Sequence, residues 1–359
     1  MKKNRILHVY SAQMVHHLRG MLIDNPEVFC KFDNGVFFIK ARTDAFTNGD
    51  EQKFFIKKSR NPIRLIANYL FFRPKYFVFH GGFWPKSWIF MFLLILIGAK
   101  CVLISWGGDL EPAAGRKGAI INWLRSQVLR KCYAAVFLSE SDLVAARARY
   151  GLADRTSVIS YYVPEYLDFK NTENADRSEI RENLRIQVGN DASERNGHEI
   201  CFNLINDLKL KDLNIFIPLG YGRFNLEYYE YIKNRAREVF GDRAEIQEEL
   251  LPKPAFDALL DTCDAYMMAS VEQRALYSVF RHLAAGRAVF LPEMGLLKKD
   301  LQAIGFVVYN LQEISNIESG RFFEICRTDH IVNRSIARDV LSLESIRNQW
   351  DVLLNNCEM

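Results

Sequence analysis

Two runs of alternating strand and helix patterns, over residues 5–150 and 186–309, flank a polar stretch at 161–185. The alternation predicts an α/β chain of two Rossmann-like, doubly wound domains facing a central cleft, because strands separated by helices pair in parallel. The length agrees, since 359 residues exceed one ordinary domain and suit two. So does the composition, whose 49% hydrophobic and 25% charged residues can fill large cores and exclude a disordered chain.

In the first run, residues 5–10 read as a strand, 14–22 as a helix, 35–40 as a strand, 61–72 as a helix and 76–80 as a strand. A helix follows at 85–97, a strand at 100–105, a helix at 117–132, a strand at 134–139 and a helix at 141–150. Residues 161–185 are charged and nearly free of aliphatic pattern, so they are expected to link an N-terminal domain at 1–160 to a C-terminal one at 186–335. The second run reads as strands at 186–188, 214–218, 244–247, 265–268, 288–291 and 306–309. Helices at 198–208, 226–240, 254–263, 276–285 and 296–304 separate them. Helices continue through Trp350, and 336–359 is set apart as a C-terminal helix able to pack back on the N-terminal domain.

Several classes are excluded at once. Cys30, Cys101, Cys132, Cys201, Cys263, Cys326 and Cys357 are scattered with no CxxC pair, which supports neither a zinc site nor a disulfide framework and suits a reducing cytoplasm. A net charge of +4 is too small for a dedicated nucleic-acid binder. The first apolar stretch is too short for a signal-peptide core. The most apolar segment, 88–99 between Lys86 and Lys100, falls short of the roughly 20 residues that span a bilayer, so a soluble or membrane-surface protein is expected.

The segment 187–199, QVGNDASERNGHE, is the organising feature: an apolar strand stops at Gly189-Asn190 and the chain restarts as a helix. Such corners hold ligands in open α/β sheets. Gly220-Tyr221-Gly222, Glu272-Gln273-Arg274 and Pro292-Glu293 also follow predicted strands and would line the same rim. Helix-start amides helped by Arg195 or Arg274 would form a diphosphate site; the plainer alternative is a set of ordinary turns. No GxGxxG follows a strand and no GxxxxGK[ST] occurs, which argues against a dinucleotide dehydrogenase and a P-loop enzyme. Asp109-Leu110-Glu111 lacks a supporting carboxylate or His cluster, so no obligatory metal or other cofactor is expected.

In the first run, His16, His17 and Arg19 come after the first strand, His80-Gly81-Gly82-Phe83 after another, and Trp106-Gly107-Gly108-Asp109 after a third. Asp109 could be a general base for a hydroxyl or equally an N-cap, and histidines at such places can be catalysts or packed residues. Basic and aromatic residues interleave from Lys53 to Lys75, which suits either an anionic membrane surface or a solvated face over core aromatics.

These residues resemble the TDP-N-acetylfucosamine (Fuc4NAc) transferases that extend lipid II of enterobacterial common antigen. The resemblance runs from about residue 8 to 290 through His16-His17, His80-Gly81-x-Phe83, Trp106-Gly107-x-Asp109-Leu110, Val188-Gly189-Asn190 with Ser193, Asn196 and His198, and Pro218-x-Gly220-Tyr221. It implies a GT-B glycosyltransferase, cytoplasmic and peripheral on the inner face of the cell membrane. The C-terminal domain would hold a dTDP- or UDP-sugar through Gly189, Asn190, Ser193, Arg195, Asn196, His198, Gly220, Tyr221, Glu272, Gln273, Arg274 and Ser278. The N-terminal domain would hold an undecaprenyl-diphosphate-linked saccharide through His17, His80 and Trp106, with Asp109 and His16 as catalytic residues. The sequence departs from the family at Gln273-Arg274-Ala275-Leu276-Tyr277-Ser278, where a glycine-rich turn is usual, so a different donor sugar is possible. A nucleotide-sugar epimerase or hydrolase, and a non-catalytic saccharide-binding subunit, remain open alternatives at this point.

Overall fold

A computed structural model describes residues 4–11, 32–39, 55–59, 73–82, 85–152, 156–158, 183–210, 212–221 and 225–355. The chain divides into two compact units, Met1–Glu165 with Leu341–Met359, and Tyr166–Val340.

The first unit is built on a seven-stranded sheet of β1 (Asn4–Ser11), β2 (Phe32–Ile39), β3 (Phe55–Ser59), β4 (Tyr76–His80), β5 (Cys101–Ser105), β6 (Ala134–Phe137) and β7 (Thr156–Val158). The order is β3-β2-β1-β4-β5-β6-β7 and every pairing is parallel. Helices α1 (Pro85–Leu96), α2 (Gly115–Lys131) and α3 (Glu140–Tyr150) connect β4 to β7. The sequences YFVFH and CVLIS are buried at all five positions, as a parallel sheet covered on both faces requires. Phe77, Phe79 and Leu103 pack with Trp88, Met91 and Leu94 of α1 and with Leu124 and Val128 of α2. Each such fully buried side chain contributes about 1.5–3 kcal/mol. The terminal helix groups with this unit: the Tyr76 hydroxyl donates to the Leu354 carbonyl at 3.2 Å.

The second unit repeats the plan with β8 (Leu184–Val188), β9 (Leu213–Pro218), β10 (Ala244–Gln247), β11 (Ala265–Met267), β12 (Ala288–Leu291) and β13 (Tyr309–Asn310) in the order β10-β9-β8-β11-β12-β13, again all parallel. Helices α4 (His198–Asp207), α5 (Leu226–Phe240), α6 (Lys253–Leu260), α7 (Leu276–Ala284) and α8 (Leu296–Ile304) join successive strands. In both sheets the order reverses beside the first strand. This is the topological switch point, where neighbouring loops leave to opposite sides and open a crevice at the strands' carboxyl ends.

The expected helices at 14–22 and 61–72 lie outside the described residues. Part of the basic and aromatic stretch, Phe55–Ser59, is the edge strand β3, paired with β2. Among the described residues no helix is long and apolar enough to cross a membrane. Cys101, Cys132, Cys201, Cys263 and Cys326 are free and buried.

Candidate functional site

In the second unit the loop after β8 is organised by two buried side chains. Gly189 adopts φ 70°, and a Cβ there would overlap Nε2 of His198. Only glycine lets the chain turn so tightly over the imidazole. His198 opens α4 with no exposed surface; its Nδ1 lies 3.0 Å from the Tyr228 hydroxyl and its Nε2 has no hydrogen-bond partner. Burial pulls its pKa down to about 4. The ring is therefore neutral at pH 7 and supports the turn from beneath.

Asn196 is 1% exposed and holds the same loop from inside. Its Oδ1 accepts from Asn190 N at 3.1 Å, and its Nδ2 donates to Asp191 Oδ1 at 2.6 Å and to Ser193 O at 3.1 Å. The Ser193 side chain caps the following short 3-10 turn by accepting from Arg195 N. Backbone bonds extend the tie to both neighbours: Ala192 N donates to Tyr221 O at 2.8 Å and Ala269 N to Asn196 O at 2.9 Å. The loops after β8, β9 and β11 thus form one hydrogen-bonded rim.

Gly220 is required for a separate reason, because a Cβ there would strike the Glu249 carbonyl. Tyr221 beside it is exposed. Ser278, in the first turn of α7, donates to Asn190 Oδ1 at 2.7 Å. Gln187, buried in β8, reaches Ser278 Oγ at 3.4 Å with Nε2 and places Oε1 2.9 Å from Nε2 of His282. Gln187 and His282 had no local signal in sequence; both sit inside helix or strand and meet only across the switch point.

The start of α7 differs from an ordinary cap. Ala275 stands at the N-cap in the left-handed region, φ 55° and ψ 27°, with no side-chain cap. A first turn of this kind offers backbone N–H groups and the positive end of the helix dipole to an anion. Arg195 and Arg274 flank it, at 3.4 and 3.0 Å from the same Glu272 Oε2. The two guanidinium groups share one carboxylate, and exposed pairs of this kind rearrange at little cost. Gln273 lies between them, half-buried.

In the first unit the turns after β4 and β5 are joined by Asp109. It is 1% exposed; Oδ2 accepts from Gly82 N at 2.7 Å, and Oδ1 from the Ser105 hydroxyl at 2.8 Å and Trp106 N at 3.0 Å. Burial raises its pKa above the usual carboxylate range, against those three donors and the charge of Arg125. Asp109, expected as a general base or a cap, is held by these bonds as a staple that positions Gly82 and Trp106. His80, at the end of β4, is fully buried with Nε2 3.0 Å from Nδ1 of His8. His16 and His17 lie outside the described residues. Among the described residues there is no cluster of three His, Cys, Asp or Glu able to hold a metal.

Comparison with known proteins agrees with this architecture. The family model described as 4-alpha-L-fucosyltransferase glycosyl transferase group 56 matches residues 3–319. Similar solved structures include Anabaena HepE in complex with UDP, at TM-score 0.72, 12% identity, and coverage of 98% of this chain and 100% of that one. Sucrose-phosphate synthase from Thermosynechococcus elongatus matches at TM-score 0.70 and 12% identity, covering 98% of each chain. A glycosyltransferase from Rickettsia africae matches at 0.69 and 14%, covering 99% of this chain and 100% of that one. The fold is GT-B.

Proposed function

The chain belongs to the 4-alpha-L-fucosyltransferase family, glycosyl transferase group 56, and is a glycosyltransferase; from that premise we propose that it moves an amino-deoxy sugar such as Fuc4NAc. The donor would be a dTDP- or UDP-sugar and the acceptor an undecaprenyl-diphosphate-linked saccharide, in surface polysaccharide assembly at the inner face of the cell membrane. The observation that carries the donor half is the rim at the switch point of the second sheet, where Asn196 braces Asn190 and Ser278 ties that loop to the uncapped first turn of α7. HepE, similar in fold, binds UDP, which supports a nucleoside diphosphate as the ligand. The amino-deoxy sugar and the lipid carrier are supported by the resemblance of residues 8–290 to Fuc4NAc transferases.

In this mechanism the donor's diphosphate lies over the first turn of α7. As the bond from the anomeric carbon to the diphosphate oxygen breaks, negative charge grows on the leaving oxygens. Fixed N–H dipoles and the cations Arg195 and Arg274 stabilise that charge without reorganising, so no metal is needed. The acceptor hydroxyl forms the new bond and passes its proton to a base, for which His16 is the proposed residue. His17, His80 and Trp106 belong to the acceptor side, and Asp109 acts through the turns it holds.

A thermal-shift panel of dTDP, UDP, GDP and ADP tests the donor half, because a ligand that binds only the folded state raises the melting point with affinity. A rise with dTDP or UDP alone is expected. Transfer to a polyprenyl-diphosphate-linked saccharide, undiminished by EDTA, tests the rest. Consumption of donor at an equal rate with and without acceptor would replace the transferase reading by hydrolysis or isomerisation.

A further inference from the structure

Helix α1 is apolar on two faces. Trp88, Met91 and Leu94 point into the core, while Ile89, Leu93, Leu96 and Ile97 form a second stripe at the helical spacing i, i+4, i+7, i+8 and are exposed, Leu96 by 60%. A helix on the surface of a globular domain normally turns a polar face to water, and this one does not. The neighbouring helix α2 extends the surface: Ile120 and Trp123 are 63% and 53% exposed, and the Trp123 ring meets Phe92 of α1 edge-on at 5.6 Å. The two stripes are therefore one continuous apolar patch, of a kind that monomeric proteins rarely leave uncovered.

The charge around the patch identifies what covers it. Neither α1 nor α2 contains an Asp or Glu. Arg116 and Lys117 are exposed one turn before Ile120, and Lys86 is exposed one turn before Ile89. An apolar centre, an exposed tryptophan and the cations Lys86, Arg116 and Lys117 complement an anionic bilayer, whose headgroups take the cations while the acyl boundary takes the apolar side chains. Twelve residues of α1 amount to about 18 Å of helix, too short for the ~30 Å hydrocarbon core, which fits an interfacial position and not a crossing.

We propose that the exposed face of α1 and α2 docks this protein on an anionic phospholipid bilayer. The choice of occupant rests on the lipid-linked acceptor proposed above, which would be delivered at that surface; the patch itself does not depend on it.

Flotation of the full chain with vesicles of equimolar phosphatidylglycerol and phosphatidylcholine, against vesicles of phosphatidylcholine alone, tests the docking. Binding to the anionic vesicles is expected, weakened by salt and accompanied by a blue shift of tryptophan emission that Trp123→Phe diminishes. Loss of Arg116 and Lys117 should weaken it about fivefold per charge, from about 1 kcal/mol each. The triple variant Leu93→Gln, Leu96→Gln, Ile97→Gln should lose at least an order of magnitude in vesicle affinity, with its circular dichroism and its nucleotide-induced melting shift unchanged. No binding by the unaltered chain overturns the proposal, as does equal binding by the folded triple variant. So does a dimer that the triple variant dissociates without any vesicle binding having been present. The melting shift with dTDP or UDP reports the donor site separately, so vesicle binding without that shift would count against the glycosyl-donor reading alone.

Discussion

The Ser278 hydroxyl donates to Asn190 Oδ1 across 2.7 Å, joining the first turn of α7 to the loop after β8. Gln187 and His282 continue the chain beneath it. The bond spans the switch point of the sheet, so the first turn of α7 and the loop after β8 keep one geometry.

Ser278→Ala breaks that bond and leaves the Asn190 side chain free to turn. A neutral hydrogen bond contributes about 1 kcal/mol, so the variant should lose about that much stability, and nucleotide affinity should fall by up to about fivefold. Calorimetric titration with dTDP and UDP measures it; an unchanged affinity would separate Ser278 from the donor site.

Ala275 holds a left-handed conformation, φ 55°, which costs an L-residue roughly 1–2 kcal/mol and glycine little. After the extra chain entropy of glycine is set against this, Ala275→Gly should stabilise the fold by about 0.5–1 kcal/mol. Urea denaturation measures the change, and a lower midpoint in the variant would show that the position carries no strain.

The buried histidines make stability depend on pH. Burial lowers the folded-state pKa of His198 to about 4 from about 6.5 unfolded. Burial also lowers His282, helped by the charges of Arg287 and Arg281. For a His with a lowered pKa the unfolded chain binds more protons, so the stability is present above pH 6.5 and is lost as pH falls toward 4. For His198 this amounts to about 3 kcal/mol. Asp109, raised by burial, works in the opposite sense, losing stability as pH rises through its folded pKa. Comparison of the native chain with His198→Gln cancels that contribution: the gap between their urea midpoints should close as pH falls from 6.5 to 4.

Asp109→Asn keeps the shape but turns an NH2 group toward a donor, either Gly82 N–H or the Ser105–Trp106 pair. A buried donor left without an acceptor costs about 1–3 kcal/mol. The variant should lose that much stability and transfer more slowly, while nucleotide affinity, which the proposed donor site assigns to the other unit, stays constant. Full transfer activity at native stability would show that the staple does not position the turns.

The sequence by itself determined the fold class, the sites of most described elements and the corner at Gly189-Asn190. Apolar runs such as YFVFH and AVFL, bounded by Gly, Pro and charged residues, mark buried parallel strands wherever they occur, and β4, β10, β12, α5 and α8 fall where local pattern puts them. The strand β3 escaped because FIKKS is an edge, and an edge needs neither continuous apolarity nor strict alternation. Tertiary structure alone decided what the polar residues of the corners do. Asp109, read locally, could be a base or a cap, and His198 a donor-side contact. Sheet order enclosed both and left the first turn of α7 at the rim beside Asn190, since the partners of Gln187, Asn190 and Asp109 come from loops and helices that only parallel pairing brings together.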